Sequence, residues 1–149
     1  MTQKVEAEKK VSDSLFCLKK RILAVDDRTD NLILLQEILG EEGYDIDITN
    51  NGFDALSKIE TKPPDLLLLD LEMPEMDGYE VIRRIRDNSD LPFIPILLVT
   101  AHGLSYALHA LEIGANGCIC LPLDINELLE KVKLFLEIKS RVSKLNVCY

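Results

Sequence analysis

Along the chain, short apolar runs alternate with stretches in which apolar residues recur every three or four positions. Residues 21–25, Arg-Ile-Leu-Ala-Val, form a first such run, closed by Asp26-Asp27, and predict a strand. Over 31–39, Leu32, Leu35, Ile38 and Leu39 make a helical stripe. Thr29 or Asp30 is placed to cap its start, and Gly40 and Gly43 to mark its end. Residues 44–48, Tyr-Asp-Ile-Asp-Ile, alternate apolar and acidic, as a less covered edge strand does. A helix over 52–59 stops before Pro63-Pro64. Residues 65–69, Asp-Leu-Leu-Leu-Leu, run into Asp70 and have the pattern of a strand buried on both faces. A loop with Pro74 and Gly78 leads to a third helical face of Val81, Ile82 and Ile85. A second buried strand covers 94–99, with Pro95 near its start and Thr100 at its end. Leu104, Ala107, Leu108 and Leu111 form a fourth stripe, stopped by Gly114. Residues 117–121 make a short fifth strand, and Asp124 opens a long last helix.

Five strand–helix pairs in sequence predict an α/β fold with a five-stranded parallel sheet, right-handed crossovers and helices on both faces. For one small domain this is the flavodoxin-like (βα)5 sandwich with strand order 2-1-3-4-5. With 149 residues the chain has room for one hydrophobic core. Residues 1–18 read as a charged tail without sustained periodicity, 19–137 as the domain and 138–149 as an extension of the last helix. Leu128, Phe135 and Val142 are seven apart, with Ile138 and Leu145 at companion positions and Lys131 breaking the first repeat. That suits either a short coiled-coil seam or an amphipathic helix packed on the sheet.

Charge changes the picture by exclusion. Twenty-six acidic residues against 17 basic give a net charge of -9, which repels nucleic-acid phosphates and anionic membranes; neither is an expected partner. The only basic cluster is Lys19-Lys20-Arg21. No apolar run is long enough to span a bilayer and the start lacks a hydrophobic signal core, so a cytoplasmic protein is predicted. Cys17, Cys118, Cys120 and Cys148 have neither C-x-x-C nor metal-ligand spacing. Buried free thiols are the expectation, with Cys118 and Cys120 pointing the same way from their strand.

In such a sheet, ligands gather at the carboxyl ends of the strands. Asp26 and Asp27 follow the first strand and Asp70 the third, and these strands are neighbours in the predicted order. Each acid alone would be an ordinary loop residue or helix cap. Three together raise at least one pKa unless a cation intervenes, and magnesium suits hard carboxylate oxygens. Thr100 adds a hydroxyl at the end of the fourth strand. The set fits an aspartate nucleophile that takes up a phosphoryl group, with Thr100 bonding one phosphoryl oxygen.

These residues resemble the response-regulator receiver family of two-component signalling. The segments that carry the resemblance are Ile22-Leu-Ala-Val-Asp26-Asp27, Leu68-Leu-Asp70-Leu-Glu72-Met-Pro74-Glu-Met-Asp77-Gly78-Tyr, Val99-Thr100-Ala101 and Gly114-Ala115-Asn116. The resemblance implies Asp70 as phosphoacceptor and Thr100 as switch hydroxyl. It implies Mg2+ held by Asp26, Asp27, Asp70 and the Glu72 backbone carbonyl. It further implies a cis Leu121–Pro122 peptide, and a histidine kinase or histidine phosphotransfer protein as phosphoryl donor. A downstream protein or a second copy would dock on the face of the fourth helix, fifth strand and fifth helix. The domain is expected to signal and not to act as an enzyme beyond its own phosphorylation and dephosphorylation.

Two positions depart from the family. Leu121 stands where a lysine usually pairs with the acceptor, and Cys118 where an aromatic ring usually reports the switch. Losing an ion pair at an enclosed site costs on the order of 2–5 kcal/mol. A degenerate receiver acting as a constitutive binding adaptor is therefore the alternative. An aspartate-dependent phosphohydrolase would use Glu72 as general acid but needs a substrate cap. A flavodoxin needs a hydroxyl-rich loop where Asp26-Asp27-Arg28 stands. Both fit less well. His102 falls near the acceptor loop and His109 on the polar side of the fourth helix; isolated surface histidines are the expectation for both.

Overall fold

The structure, a computed structural model, describes residues 19–147. Its elements are β1 (Arg21–Val25), α1 (Thr29–Glu41), β2 (Asp45–Thr49), α2 (Gly52–Thr61), β3 (Leu66–Leu69), α3 (Gly78–Asp87), β4 (Ile96–Thr100), α4 (Leu104–Glu112), β5 (Gly117–Cys120) and α5 (Ile125–Val147). All strand pairs are parallel and the order is β2-β1-β3-β4-β5, as the alternation of runs predicts.

The central strands are apolar throughout because both of their faces are covered. Every residue of β3 and β4 is buried, and so are the last four of β1. On one side Leu23, Leu67, Leu69, Ile96 and Leu98 pack against Ile59, Val81, Ile82 and Ile85. On the other, Ile22, Ala24, Leu66, Leu68 and Leu97 meet Leu32, Leu39, Leu128 and Val132. Alternate residues of one strand thus feed two separate cores.

Four local expectations need correction. The residue capping α1 is Arg28, not Thr29 or Asp30, and its side chain makes no cap bond. Asp26 instead accepts the Arg28 N–H, so the turn is organised around the acid at the strand end. β4 begins after Pro95, which has no N–H to give to a central ladder. The α4 stripe is rotated from the one expected and shares only Ala107 with it. Ala107 and Ala110 are buried, whereas Leu104 and Leu108 are 70% and 50% exposed. Two small side chains face the core, and Leu104, Leu108 and Leu111 face out. The thiols are also less buried than expected: Cys118 is half-buried and Cys120 exposed, while Cys17 and Cys148 lie outside the described residues.

α5 packs through Leu128, Val132 and Leu136, a spacing of four that suits a helix lying on a sheet. Of the predicted seven-residue seam only Leu128 is fully buried, and Leu145 is exposed. Lys131, which breaks that seam, donates to the Cys118 carbonyl at 2.7 Å and so ties α5 to β5.

Candidate functional site

A cleft of about 400 Å³ opens at the carboxyl ends of β1, β3 and β4. Asp26, Asp27, Asn31, Asp70, Met73, His102 and Leu121 are among the residues that line it. The β1–β3 register pairs Val25 with Leu69, so Asp26 and Asp70 leave the sheet side by side. The Asp70 N–H donates to Val25 O at 2.9 Å, which fixes the Asp70 backbone to β1. One carboxylate oxygen from each of Asp26, Asp27 and Asp70 lies within 4.8 Å of the others.

The loop after Asp70 is held by close packing. Leu71, Met73 and Met76 are buried, and the Gly78 N–H donates to Leu71 O at 2.8 Å. A Cβ on Gly78 would lie 2.5 Å from the Asp70 carbonyl oxygen and 2.7 Å from Leu71 Cα, so only glycine fits there. Asp77 caps α3 by accepting the Glu80 N–H. The D-G pair in the sequence thus starts a helix and lets it approach the acceptor loop.

The electrostatics follow from crowding. Burial, reinforced by the charge of Asp26, pushes the Asp70 carboxyl up to about 7; the Glu72 N–H bond, 3.4 Å long, and nearby His102 act against the rise. Asp26 is raised as well, chiefly by burial, although the Arg28 N–H and Asn31 Nδ2 each donate to it at 2.9 Å. Three carboxylates gathered this closely make a donor set that fits a hard divalent cation. Their oxygens are the ligand type Mg2+ prefers.

Thr100 is fully buried and its Oγ1 accepts the His102 N–H at 3.1 Å. The Leu121 N–H donates to Thr100 O at 2.9 Å, and the following Leu121–Pro122 peptide is cis, as the resemblance implies. Leu121 lines the cleft where a lysine would bring charge. Arg28 and His102 are the basic residues on its wall.

A model of the response regulator receiver domain family matches residues 22–133. The chain belongs to the response regulator receiver domain family. It is 36% identical over 124 residues to sporulation initiation phosphotransferase F of Bacillus subtilis, covering 83% of this chain and 98% of that protein. It is 37% identical over 120 residues to the alkaline phosphatase synthesis transcriptional regulatory protein PhoP of the same organism, covering 80% of this chain and 49% of that one. Among solved structures it is similar to a CheY-like receiver domain protein from Methanospirillum hungatei. That match has a TM-score of 0.76 and 33% identity, over 83% of this chain and 98% of the other. The receiver domain is thus a two-component signalling domain with the flavodoxin-like fold, in a family that takes phosphate from histidine kinases or phosphotransfer proteins. Among its described residues no helix is long and apolar enough to cross a membrane.

Every residue singled out for the acceptor site lies at one end of the sheet. Asp26, Asp27, Asp70, Glu72 and Leu121 line the cleft itself, and Thr100 is in β4 with its hydroxyl turned to the His102 N–H. Cys118 is three residues before Leu121, on β5. Asn31 escaped the sequence reading, and His102, expected near the loop, makes a contact that reading did not foresee. Asn31 holds Asp26 from the first turn of α1, a role that its spacing of five from Asp26 could have suggested. His102 is no isolated surface histidine: its Nε2 bonds the Glu72 carboxylate at the rim. Its position two residues after Thr100 was the available signal. His109 is half-exposed on α4, beside the Tyr79 ring, as expected of a surface residue.

Proposed function

We propose that Asp70 is the phosphoacceptor of this receiver and that its donor is a histidine kinase or a histidine phosphotransfer protein. The observation that carries the reading is the convergence of Asp26, Asp27 and Asp70 within 4.8 Å beside the buried Thr100. Asp26, Asp27, Asp70 and the Glu72 backbone carbonyl would hold Mg2+. When bound, Mg2+ supplies positive charge that offsets the phosphoryl oxygens. An Asp70 carboxylate oxygen attacks phosphorus, the bond from phosphorus to the donor's imidazole nitrogen breaks, and an acyl phosphate results. Asn31 and the Arg28 N–H keep Asp26 oriented. The Thr100 hydroxyl, held ready by the backbone beside it, turns to donate to a phosphoryl oxygen. Partner proteins or a second copy dock on the α4–β5–α5 face, where Leu104, Tyr106 and Leu108 are exposed.

The test is incubation with Mg2+ and acetyl phosphate, followed by intact mass, with Asp70→Asn as control. A labile adduct of one phosphoryl group, lost in the variant, is the expected result. No adduct under conditions that modify an ordinary receiver would sink the assignment. Leu121 on the cleft wall supports one other reading, a constitutive adaptor that binds partners without phosphate. That reading expects partner binding to be equal in the wild type and in Asp70→Asn.

A further inference from the structure

A second cluster of ligand-type side chains lies outside the acidic cleft. β5 carries Cys118 and Cys120 with their Sγ atoms 4.0 Å apart, neither in a disulfide. Gly117 faces Phe135 of α5, and Ile119 joins the core beneath Val132, so both thiols project from the opposite face. Cys118 is half-buried against the core that includes Ala110 of α4, and Cys120 is exposed. Among the described residues β5 is the sheet's edge strand.

Paired thiols can close a disulfide or chelate an ion, and the spacing separates the two. A disulfide brings sulfurs to about 2.05 Å and tolerates Cα separations up to about 6.8 Å. Two residues of strand rise about 6.7 Å, at the limit of that range. The sulfurs would have to halve their separation in a strand paired with β4 and held at the Cys118 carbonyl by Lys131. Chelation asks for no such movement. With metal–sulfur bonds of about 2.3 Å, sulfurs 4.0 Å apart subtend an angle of roughly 120° at the ion. That is the angle of a three-coordinate site with one position open.

We propose that Cys118 and Cys120 form a two-thiolate site for a soft d10 cation, with Cu(I) as the best-suited member of the class. Thiolates select soft ions, whereas the carboxylates of the cleft select hard ones, so a central and an edge strand of one small sheet sort metals by ligand type. The cation displaces one proton from each thiol and acquires two sulfur bonds, with no change of oxidation state. The bis-thiolate complex of Cu(I) carries one negative charge. Burial and the neighbouring Cys120 push the Cys118 thiol up to about 11, and the Lys131 ammonium, which also pairs with Glu127, acts against that rise, so the metal has to displace a firmly held proton. The site adjoins the switch hydroxyl: Cys120 is the register partner of Thr100 across the β4–β5 ladder.

The experiment uses the full chain with Cys17→Ser and Cys148→Ser, so that Cys118 and Cys120 are the remaining thiols. Excess Mg2+ occupies the carboxylates, and Cu(I) is supplied anaerobically from a chromophoric chelator. The protein is expected to withdraw one equivalent, with X-ray absorption showing two or three sulfur neighbours at about 2.3 Å. Adding Cys118→Ser or Cys120→Ser is expected to weaken uptake at least 100-fold while the circular dichroism stays unchanged. Failure to compete with the chelator overturns the site, as does equal uptake by the serine variants. A quantitative mass loss of two hydrogens with hydrogen peroxide, without Cu(I) uptake, overturns it in favour of a disulfide.

Discussion

The cleft at the carboxyl end of the sheet has two walls of different chemistry. Around β1 and β3, polar groups are dense and mutually arranged: Asn31 and the Arg28 N–H hold Asp26, and Asp70 is pinned to Val25. Around β5 and α4 apolar and thiol groups replace the arranged acids, with Leu121 on the cleft wall, Cys118 behind it, and Leu104 and Leu108 exposed on the helix among the polar Ser105, His109 and Glu112. The first wall holds what an acceptor needs. The second lacks the lysine and the ring through which this family usually reads the acceptor. The residues proposed for acceptor chemistry and those at the family's read-out positions therefore sit on different strands.

The hardest test of the first wall is Gly78→Val. Its Cβ must displace the Asp70 carbonyl or Leu71, so destabilisation of about 3 kcal/mol or more is expected in urea unfolding, with loss of Mg2+ binding at the cleft. A variant of wild-type stability would show the loop to be far softer than its packing implies. Leu121→Lys tests the second wall by returning a charge to it. An ammonium within about 4–6 Å lowers a carboxyl pKa by roughly 1–3 units, so Asp70 is expected to fall from about 7 toward its ordinary value in a carbon-13 NMR titration. An unmoved Asp70 would mean that the second wall does not communicate with the first.

A smaller effect follows from linkage. The Asp70 carboxyl is raised on folding from 3.8 to about 7, so folding favours its neutral form. That contribution is complete below about pH 4 and is lost as pH rises through 7. The metal-free chain is expected to lose about 1–2 kcal/mol at this site between pH 4 and pH 8, a figure discounted for solvent screening of a half-buried group. Mg2+, or Asp70→Asn, should flatten the dependence, and equal pH slopes in wild type and variant would contradict the shift. The smallest effect is expected on α4: Leu108→Ser should change stability by less than about 0.5 kcal/mol, because the side chain is half exposed. A loss of several kcal/mol there would make α4 part of the core after all.

What the sequence by itself determined is the architecture and the acidic half of the site. Continuous apolar runs at β3 and β4, and alternation at β2, can be satisfied only by a sheet covered centrally and open at that edge. The acids that end β1 and β3 then meet because those strands are neighbours. Position along a strand is a local property, and periodicity reads it directly. Tertiary structure alone decided what periodicity does not encode. α4 presents the same spacing of three and four whichever side it buries, and the side it buries carries Ala107 and Ala110 and not Leu104 and Leu108. The grip of Asn31 on Asp26, the His102–Glu72 contact and the 4.0 Å between the Cys118 and Cys120 sulfurs likewise depend on distances. Those distances are set by chain segments far apart in sequence or by side-chain rotamers, and a one-dimensional pattern carries neither.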